Sequence, residues 1–349
     1  MFLSLPQRFL RAALHPRAFV ARRWFRLKIK MARKWSHRPN VMVFRFSGIG
    51  DIICTFPAVV ALRVKHPNSR IFFITSREFA PIVRMGRCAD DVVEFGTGYS
   101  RVADKLYDVV YRPLLGDELL PPETAAYHLI DRFCDQLGVE VSDRQPRLWV
   151  PAAMLRRAGR ALAAVRSDGS PVVAIHTGPS WPVREWNLEG WDQLVAMLRD
   201  ECGAVVVQVG ADVSTSAGAG RSPRAAGAID WVGAWSLSEL AAVIKSCHLF
   251  VGIDSGLLHI AGAVGTPSVG LFGAVDPKFR LHPETPSIGV TSDVPCLGCH
   301  HRIPKGHWES GCPNNICCMR RLTARDVFAA CMRLLGARAL GERTAQPRP

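Results

Sequence analysis

The chain has 349 residues, 48% of them hydrophobic, which is enough to fill two cores, and a formal net charge of +14. No apolar run approaches the roughly 20 residues that a membrane span needs, which excludes an integral membrane protein of the helical kind. The charge is local: residues 1–40 hold eleven Lys or Arg and no Asp or Glu, so 14 less 11 leaves +3 on the other 309. A near-neutral body argues against a nucleic-acid surface and for one localised electrostatic contact.

Residues 1–40 read as a basic amphipathic arm in which Phe2, Phe9, Phe19, Trp24 and Trp35 alternate irregularly with arginines and lysines. Such an arm can lie on an anionic membrane surface, each basic residue adding about 1 kcal/mol near the lipid. A solvated tail is the plainer alternative. Arg8, Arg11 and Arg17 interrupt the first apolar residues, so no secretory leader is expected, and a reducing cytoplasm is the expected compartment.

From Val41 strands alternate with helices. The pattern predicts a strand at Val41 to Phe46, a tight turn at Ser47-Gly48-Ile49-Gly50, and an amphipathic helix from Asp51 to Lys65. Further strands are predicted at Arg70 to Thr75, Asp91 to Phe95 and Asp108 to Tyr111, a doubly wound α/β half. Gly48 and Gly50 match the first two glycines of a dinucleotide fingerprint, but Ile53 stands at the third, which disfavours an oxidoreductase. Asp51 suits a helix N-cap. It also suits a general base at the mouth of the sheet, and it can serve as both only with one oxygen left free.

Composition shifts at Trp149-Val150-Pro151, where an Ala/Arg-rich helix, residues 152–168, precedes a linker and a strand at Val172 to His176. The second half repeats the alternation, with strands at Ala204 to Val209, Leu249 to Ile253 and Ser268 to Phe272. After His176, the hydroxyls and backbone of Thr177, Gly178 and Ser180 can form an anion nest, and Arg184 offers a fork for phosphate. An ordinary surface turn is the alternative. Residues 211–228 read as a loop of small residues without an obvious acidic partner for a ribose. Trp235 precedes Ser236, which caps a helix with Glu239 as a capping box; its ring can flank a base or pack in the core.

The stretch VGIDSGLLHIAGAVGTPSVGLFGAVDP, Val251 to Pro277, carries the strongest signal. A buried strand hands over through Asp254, Ser255 and Gly256 to a helix, Leu257 to Val264, whose N-terminus would face an anionic ligand. Asp254 and Ser255 are good caps in their own right, and His259 follows one turn on, where it can face the same ligand. Six of the eleven cysteines fall between Cys296 and Cys331. The run Cys296-x2-Cys299-x12-Cys312-x4-Cys317-Cys318 has metal-site spacing. Its reading is a structural zinc or iron held by Cys296, Cys299, Cys312 and one of Cys317 or Cys318. Reduced thiols are the alternative, and His300, His301 or His307 could replace one ligand. A capped helix, Thr323 to Leu335, and a loose tail close the chain.

With these pieces placed, the chain resembles glycosyltransferase family 9, the ADP-heptose:lipopolysaccharide heptosyltransferases, from roughly Val41 to Arg325. The likeness rests on RFSGIGDIICTFPAVVALRVKHP at 45–67, HTGPSWPVREWN at 176–187 and LSELAAVIKSCHLFVGIDSGLLHIAGAVGTPSVGLFGAVDP at 237–277. The resemblance implies an α/β fold of the GT-B type, two Rossmann-like doubly wound domains facing a central cleft. The domains would run 1–40 (arm), 41–165 (acceptor side, with Ser47, Gly48 and Gly50 as its loop), 166–295 (nucleotide-sugar side), 296–320 (Cys-rich) and 321–349 (terminal helix and tail). It implies Asp51 as catalytic base of an inverting transfer that requires no metal. Thr177, Gly178, Ser180, Arg184, Trp235, Asp254, Ser255, Gly256 and His259 would bind the donor. Arg184 stands where the family usually has lysine. The implied reaction moves heptose from ADP-heptose to a lipopolysaccharide core precursor, at the inner face of the inner membrane. A protein O-heptosyltransferase, a transferase using another nucleotide-sugar and an inactive nucleotide-binding protein are the rival readings.

Overall fold

The computed structural model describes residues 38–46, 48–95, 107–113, 128–166, 169–212, 220–301 and 311–345, with side chains to 336 in the last helix. The expected arm and Ser47 therefore lie outside the described residues, apart from positions 38–40. The chain divides into two compact units, Met1–Leu114 with Ile130–Arg144, and Leu115–Leu129 with Gln145–Pro349.

In the first unit β1 (Asn40–Phe44), β2 (Arg70–Ser76), β3 (Asp91–Phe95) and β4 (Val109–Tyr111) form a parallel sheet in the order β3-β2-β1-β4. The apolar runs NVMVF and RIFFITS are buried almost throughout, as strands covered on both faces must be. The helix expected from Asp51 to Lys65 is two helices, α1 (Ile49–Cys54) and α2 (Phe56–Lys65). Pro57 has no N–H to offer the carbonyl four residues back, and Thr55 Oγ1 donates to Ile52 O at 2.6 Å at the break. α3 (Ala80–Gly86) and α4 (Leu129–Leu137) complete the unit.

The second unit is built on a six-stranded parallel sheet, order β10-β9-β8-β5-β6-β7. Its strands are β5 (Val172–His176), β6 (Val205–Gln208), β7 (Ile229–Asp230), β8 (Leu249–Ile253), β9 (Ser268–Leu271) and β10 (Ser287–Val290). α5 (Ala152–Ala163) stops short of the expected 168, and α6 (Leu188–Asp200) starts where Asn187 Oδ1 accepts from Gly190 N at 2.7 Å. α7 (Leu237–Lys245) has the expected capping box of Ser236 and Glu239. α8 (Gly256–Val264) and α9 (Cys317–Arg320) follow, and α10 (Ala324–Ala345) runs ten residues past its expected end. Val173, Ile175, Trp191, Val251, Val269 and Cys331 share one core.

In each sheet the strand order reverses once, between β1 and β4 and between β5 and β8. Beyond the carboxyl ends of the strands at such a point, connections leave in opposite directions and a ligand crevice opens. Asp51 follows β1, while Thr177 and Asp254 follow β5 and β8. The fold places the motif residues at these two switch points. Among the described residues no helix is long and apolar enough to cross a membrane.

Candidate functional site

At the switch point of the first unit, Gly48 takes φ 80° and occupies the N-cap position of α1 without a side-chain cap. Asp51 is therefore not the cap but a first-turn residue, where the helix dipole favours a carboxylate. Its Oδ2 accepts from Arg45 Nη2 at 2.5 Å. Arg45 is held in turn by donation from Nη1 to Pro113 O at 3.1 Å, beyond β4, and by the Phe133 ring 5.7 Å from its guanidinium carbon. Among the described residues only Oδ2 of Asp51 has a side-chain partner. One oxygen is fixed and the other stands open, the condition a positioned base needs. A Cβ at residue 48 would collide with Asp51 Oδ2, and the left-handed φ independently calls for glycine. Gly50 is buried inside α1. Arg45 was missed in the motif reading, although its place at the end of an apolar strand, six residues before the carboxylate, was a usable signal.

At the switch point of the second unit, Ser255 is the N-cap of α8 by backbone position, yet its side chain makes no cap hydrogen bond. Its Oγ is buried without a partner among the described residues. The capping role expected of Asp254 and Ser255 is thus not what their side chains do. Asp254, 3% exposed, pairs with Arg184, Oδ2 to Nε at 3.3 Å, and Arg184 Nη1 donates to Asp254 O at 3.2 Å. The turn Pro182–Arg184 delivers the arginine, with Pro182 at its first position. Gly256 opens α8, and the free N–H groups of its first turn carry the positive end of the dipole.

His259, one turn on, is buried, with Nδ1 3.1 Å from Nε2 of His282. Burial, then the charges of Arg280, His128 and Arg184, push its pKa down to about 3. Burial, followed by His259 and His128, pushes His282 well down as well, against a smaller opposing contribution from the Gly262 backbone. Both rings are neutral at physiological pH, so His259 offers a hydrogen bond rather than a charge. His282 lies 23 residues from its partner, and no spacing rule pointed to it.

The expected nest at Thr177, Gly178 and Ser180 is not an open cradle. Thr177 is fully buried; its hydroxyl donates to Pro223 O at 2.8 Å and contacts Ser222 Oγ at 3.0 Å, while Gln208 Nε2 donates to it at 3.1 Å. The Ser180 N–H is taken by Glu185 Oε1 at 2.8 Å. Gly178, at φ 128°, provides the bend. The hydrogen-bonding groups of Thr177 and Ser180 are thus engaged within the protein. Trp235 is half-buried, with the Arg157 guanidinium over its ring at 5.0 Å and Trp231 tilted against it at 5.6 Å. Two carboxylates do stand near the ends of β6 and β7, Asp212 and Asp230, both paired with Arg224.

In the cysteine-rich segment, Cys296 Sγ and Cys317 Sγ are 3.8 Å apart. Two thiolates on one tetrahedral zinc, at about 2.3 Å each, stand about 3.8 Å apart, so the pair has the spacing of one edge of a metal site. Cys318 is the next residue on α9 and turns inward, 5% exposed, against Gly273 and close to its neighbour Met319 in the core. Cys318 is the more buried of the two candidates for the fourth ligand. Burial, then nearby Cys296 and Cys299, push its thiol up to about 11. Among the described residues no three of these sulfurs lie within 4.8 Å of one another, so Cys299 and Cys312 would have to close in on an ion. His307 lies outside the described residues.

With the geometry in place, the comparisons assign the class and then the family. An α/β fold of two doubly wound parallel units is shared with the iron-containing dodecameric glycosyltransferase TibC from enterotoxigenic Escherichia coli. That likeness has TM-score 0.65 at 21% identity over 87% of this chain and 77% of TibC. The fold is the expected GT-B type. The profile of glycosyltransferase family 9 (heptosyltransferase) matches residues 123–305, and the chain belongs to that family. It is similar to lipopolysaccharide heptosyltransferase 1 of Pseudomonas aeruginosa, 26% identical over 38% of this chain and 37% of that one. It is also similar to the autotransporter heptosyltransferase Aah of Escherichia coli, 26% identical over 75% of this chain and 63% of Aah. The chain thus spans between about a third and two thirds of the length of these curated relatives.

Two outcomes follow from this geometry. Because Ser255 Oγ caps nothing, Ser255→Ala should change stability by under about 0.5 kcal/mol, against about 1 kcal/mol for loss of a true cap. Thermal unfolding checks it. His176, buried with its pKa down to about 4, joins His259 and His282 in staying neutral when folded. Below about 6.5 the unfolded chain binds protons that the native chain does not, so stability drops as the pH is lowered. His176 and His259 should each cost about 1 kcal/mol between pH 7.5 and 5.5, with His282 acting in the same direction, read as a drop in Tm.

Proposed function

We propose that the protein is an inverting glycosyltransferase that moves heptose from ADP-heptose to a lipopolysaccharide core acceptor of the lipid A-Kdo type. The observation that carries this is the N-terminus of α8, where the uncapped Ser255 hydroxyl, Arg184 and a neutral His259 converge. Unpaired N–H groups, a guanidinium and an imidazole donor are what a diphosphate leaving group requires. The Asp254 carboxylate, neutralised by Arg184, is suited to accept hydroxyls of the sugar.

In the transfer, Asp51 Oδ1 takes the proton of the acceptor hydroxyl as its oxygen attacks the anomeric carbon. The bond from that carbon to the β-phosphate oxygen breaks on the opposite face, and ADP leaves with the electron pair. Charge grows on the diphosphate oxygens, where each well-placed donor at α8 contributes about 3–4 kcal/mol. Arg45 holds Oδ2 and aims the carboxylate. No step calls for a metal or cofactor; a zinc or iron on Cys296, Cys299, Cys312 and Cys317 would brace the segment between β10 and α10. Residues 1–40 would hold the protein to the anionic cytoplasmic face of the inner membrane, and no nucleic-acid partner is proposed.

A protein acceptor is the second reading, favoured by the Cys296–Cys317 pair together with the likeness to Aah and to the iron-containing TibC. With ADP-heptose and delipidated core acceptor, wild type should release ADP and Asp51→Asn should lose at least about a hundredfold in kcat, the range for a general base. Release only with a polypeptide acceptor would select the second reading. ADP binding with no release from any acceptor would indicate another sugar or an inactive protein. Elemental analysis should find about one zinc or iron per chain, reduced by Cys296→Ser and unchanged by Cys318→Ser; well under one would leave reduced thiols.

A further inference from the structure

A short turn that opens on proline delivers Arg184 beside α8, and a second turn of the same kind delivers another arginine. In the connection between β9 and β10, Pro277 begins the turn Pro277–Phe279, and the backbone N–H groups of Arg280 and Leu281 both donate to Pro277 O, at 3.0 and 2.9 Å. Two residues further on, His282 Nε2 stands 3.1 Å from His259 Nδ1, which ties this connection to the first turn of α8. The charge of Arg280 acts on the His259 ring more strongly than that of Arg184, and both disfavour its protonation.

Arg280 is only 8% exposed, and an arginine so deeply buried ordinarily has a carboxylate partner. Among the described residues this one has none. Its guanidinium makes one long hydrogen bond, from Nη1 to the carbonyl of the preceding Phe279 at 3.3 Å. The acidic residues nearest in sequence pair with other cations, Asp276 with Lys278 at 3.1 Å and Glu284 with Arg147 at 2.9 Å. A guanidinium carries five N–H donors in a planar fork that matches phosphate geometry, so a single carbonyl leaves most of the fork unused.

The charges at the α8 terminus show what is missing there. Arg184 is matched by Asp254, and His259 and His282 are neutral. These four side chains therefore sum to zero, while a diphosphate brings negative charge on both phosphates and gains more as it departs. We propose that Arg280 is a second guanidinium of the donor site, donating to phosphoryl oxygens of the diphosphate and supplying the positive charge that Arg184, already matched by Asp254, does not. The proposal rests on the reading of the α8 terminus as the diphosphate site, and it deepens that reading by naming the counter-charge. A buried cation without a carboxylate is unfavourable in the empty protein and is compensated when the anion arrives.

Calorimetric titration of the full chain with ADP, adenosine and pyrophosphate, in wild type, Arg280→Met and Arg280→Lys, tests this. Arg280→Met should weaken ADP and pyrophosphate about tenfold or more, the loss of a charge-assisted pair, and leave adenosine unchanged. Arg280→Lys keeps the charge without the fork and should recover part of the loss. Ligand-free Arg280→Met should melt no lower than wild type, because the substitution removes a buried charge that has no partner. Equal ADP affinity in wild type and Arg280→Met would overturn the proposal. A lower Tm with equal losses for ADP and adenosine would also overturn it and make Arg280 a structural residue. Should wild type bind no ADP, the donor-site reading fails, and pyrophosphate still decides the contact: binding lost in Arg280→Met supports a phosphoryl site at Arg280, and binding unchanged or absent throughout refutes it.

Discussion

A helix that begins at the carboxyl end of a buried parallel strand leaves several N–H groups without partners, and a protein must either cap them or use them. In this chain the helix is α8, the strand is β8, and the residue at the cap position keeps its hydroxyl out of the cap. Much of the second unit depends on that uncapped terminus. β8 lies beside β5 at the reversal of strand order, so Arg184, delivered after β5, reaches Asp254 after β8. Gly262, one turn beyond His259, admits the ring that contacts it.

Both units carry an arginine–aspartate pair at the switch point, but the two carboxylates differ in exposure. Arg45 anchors one oxygen of Asp51 and leaves the other to solvent or acceptor. Arg184 meets a carboxylate that is almost wholly buried, and the pair sits against a helix terminus that already attracts negative charge. Proton acceptance needs a carboxylate with an open lone pair, whereas leaving-group stabilisation needs fixed positive dipoles that do not reorganise. The same fold element supplies either, according to which side chain the connection places at the helix start.

Much of this was legible in the residues. β3, β5 and β8 fall at the expected residues, and for β5 and β8, buried at every position, an apolar run between turn signals is what cover on both faces requires. The capping box at Ser236 follows from local spacing alone. Local spacing failed where a partner comes from far along the chain. Thr177 and Ser180 have the composition of an anion nest, but Ser222, Gln208 and Pro223 occupy the first, and a neighbouring turn brings Glu185 to the second. Arg45 meets Pro113 across 68 residues, a contact that no periodicity encodes. Cys317 and Cys318 were indistinguishable until α9 turned one toward Cys296 and the other into the core.

On the proposed reading, the α8 terminus, with Arg184 and His259, binds a diphosphate and the nucleoside is secondary. Calorimetric titration of wild-type protein with ADP and with adenosine tests it most directly. ADP should bind at least about a hundredfold more tightly, some 2.7 kcal/mol, and Arg184→Gln should remove most of the difference. Equal affinities for the two ligands, or an ADP preference untouched by Arg184→Gln, would contradict it.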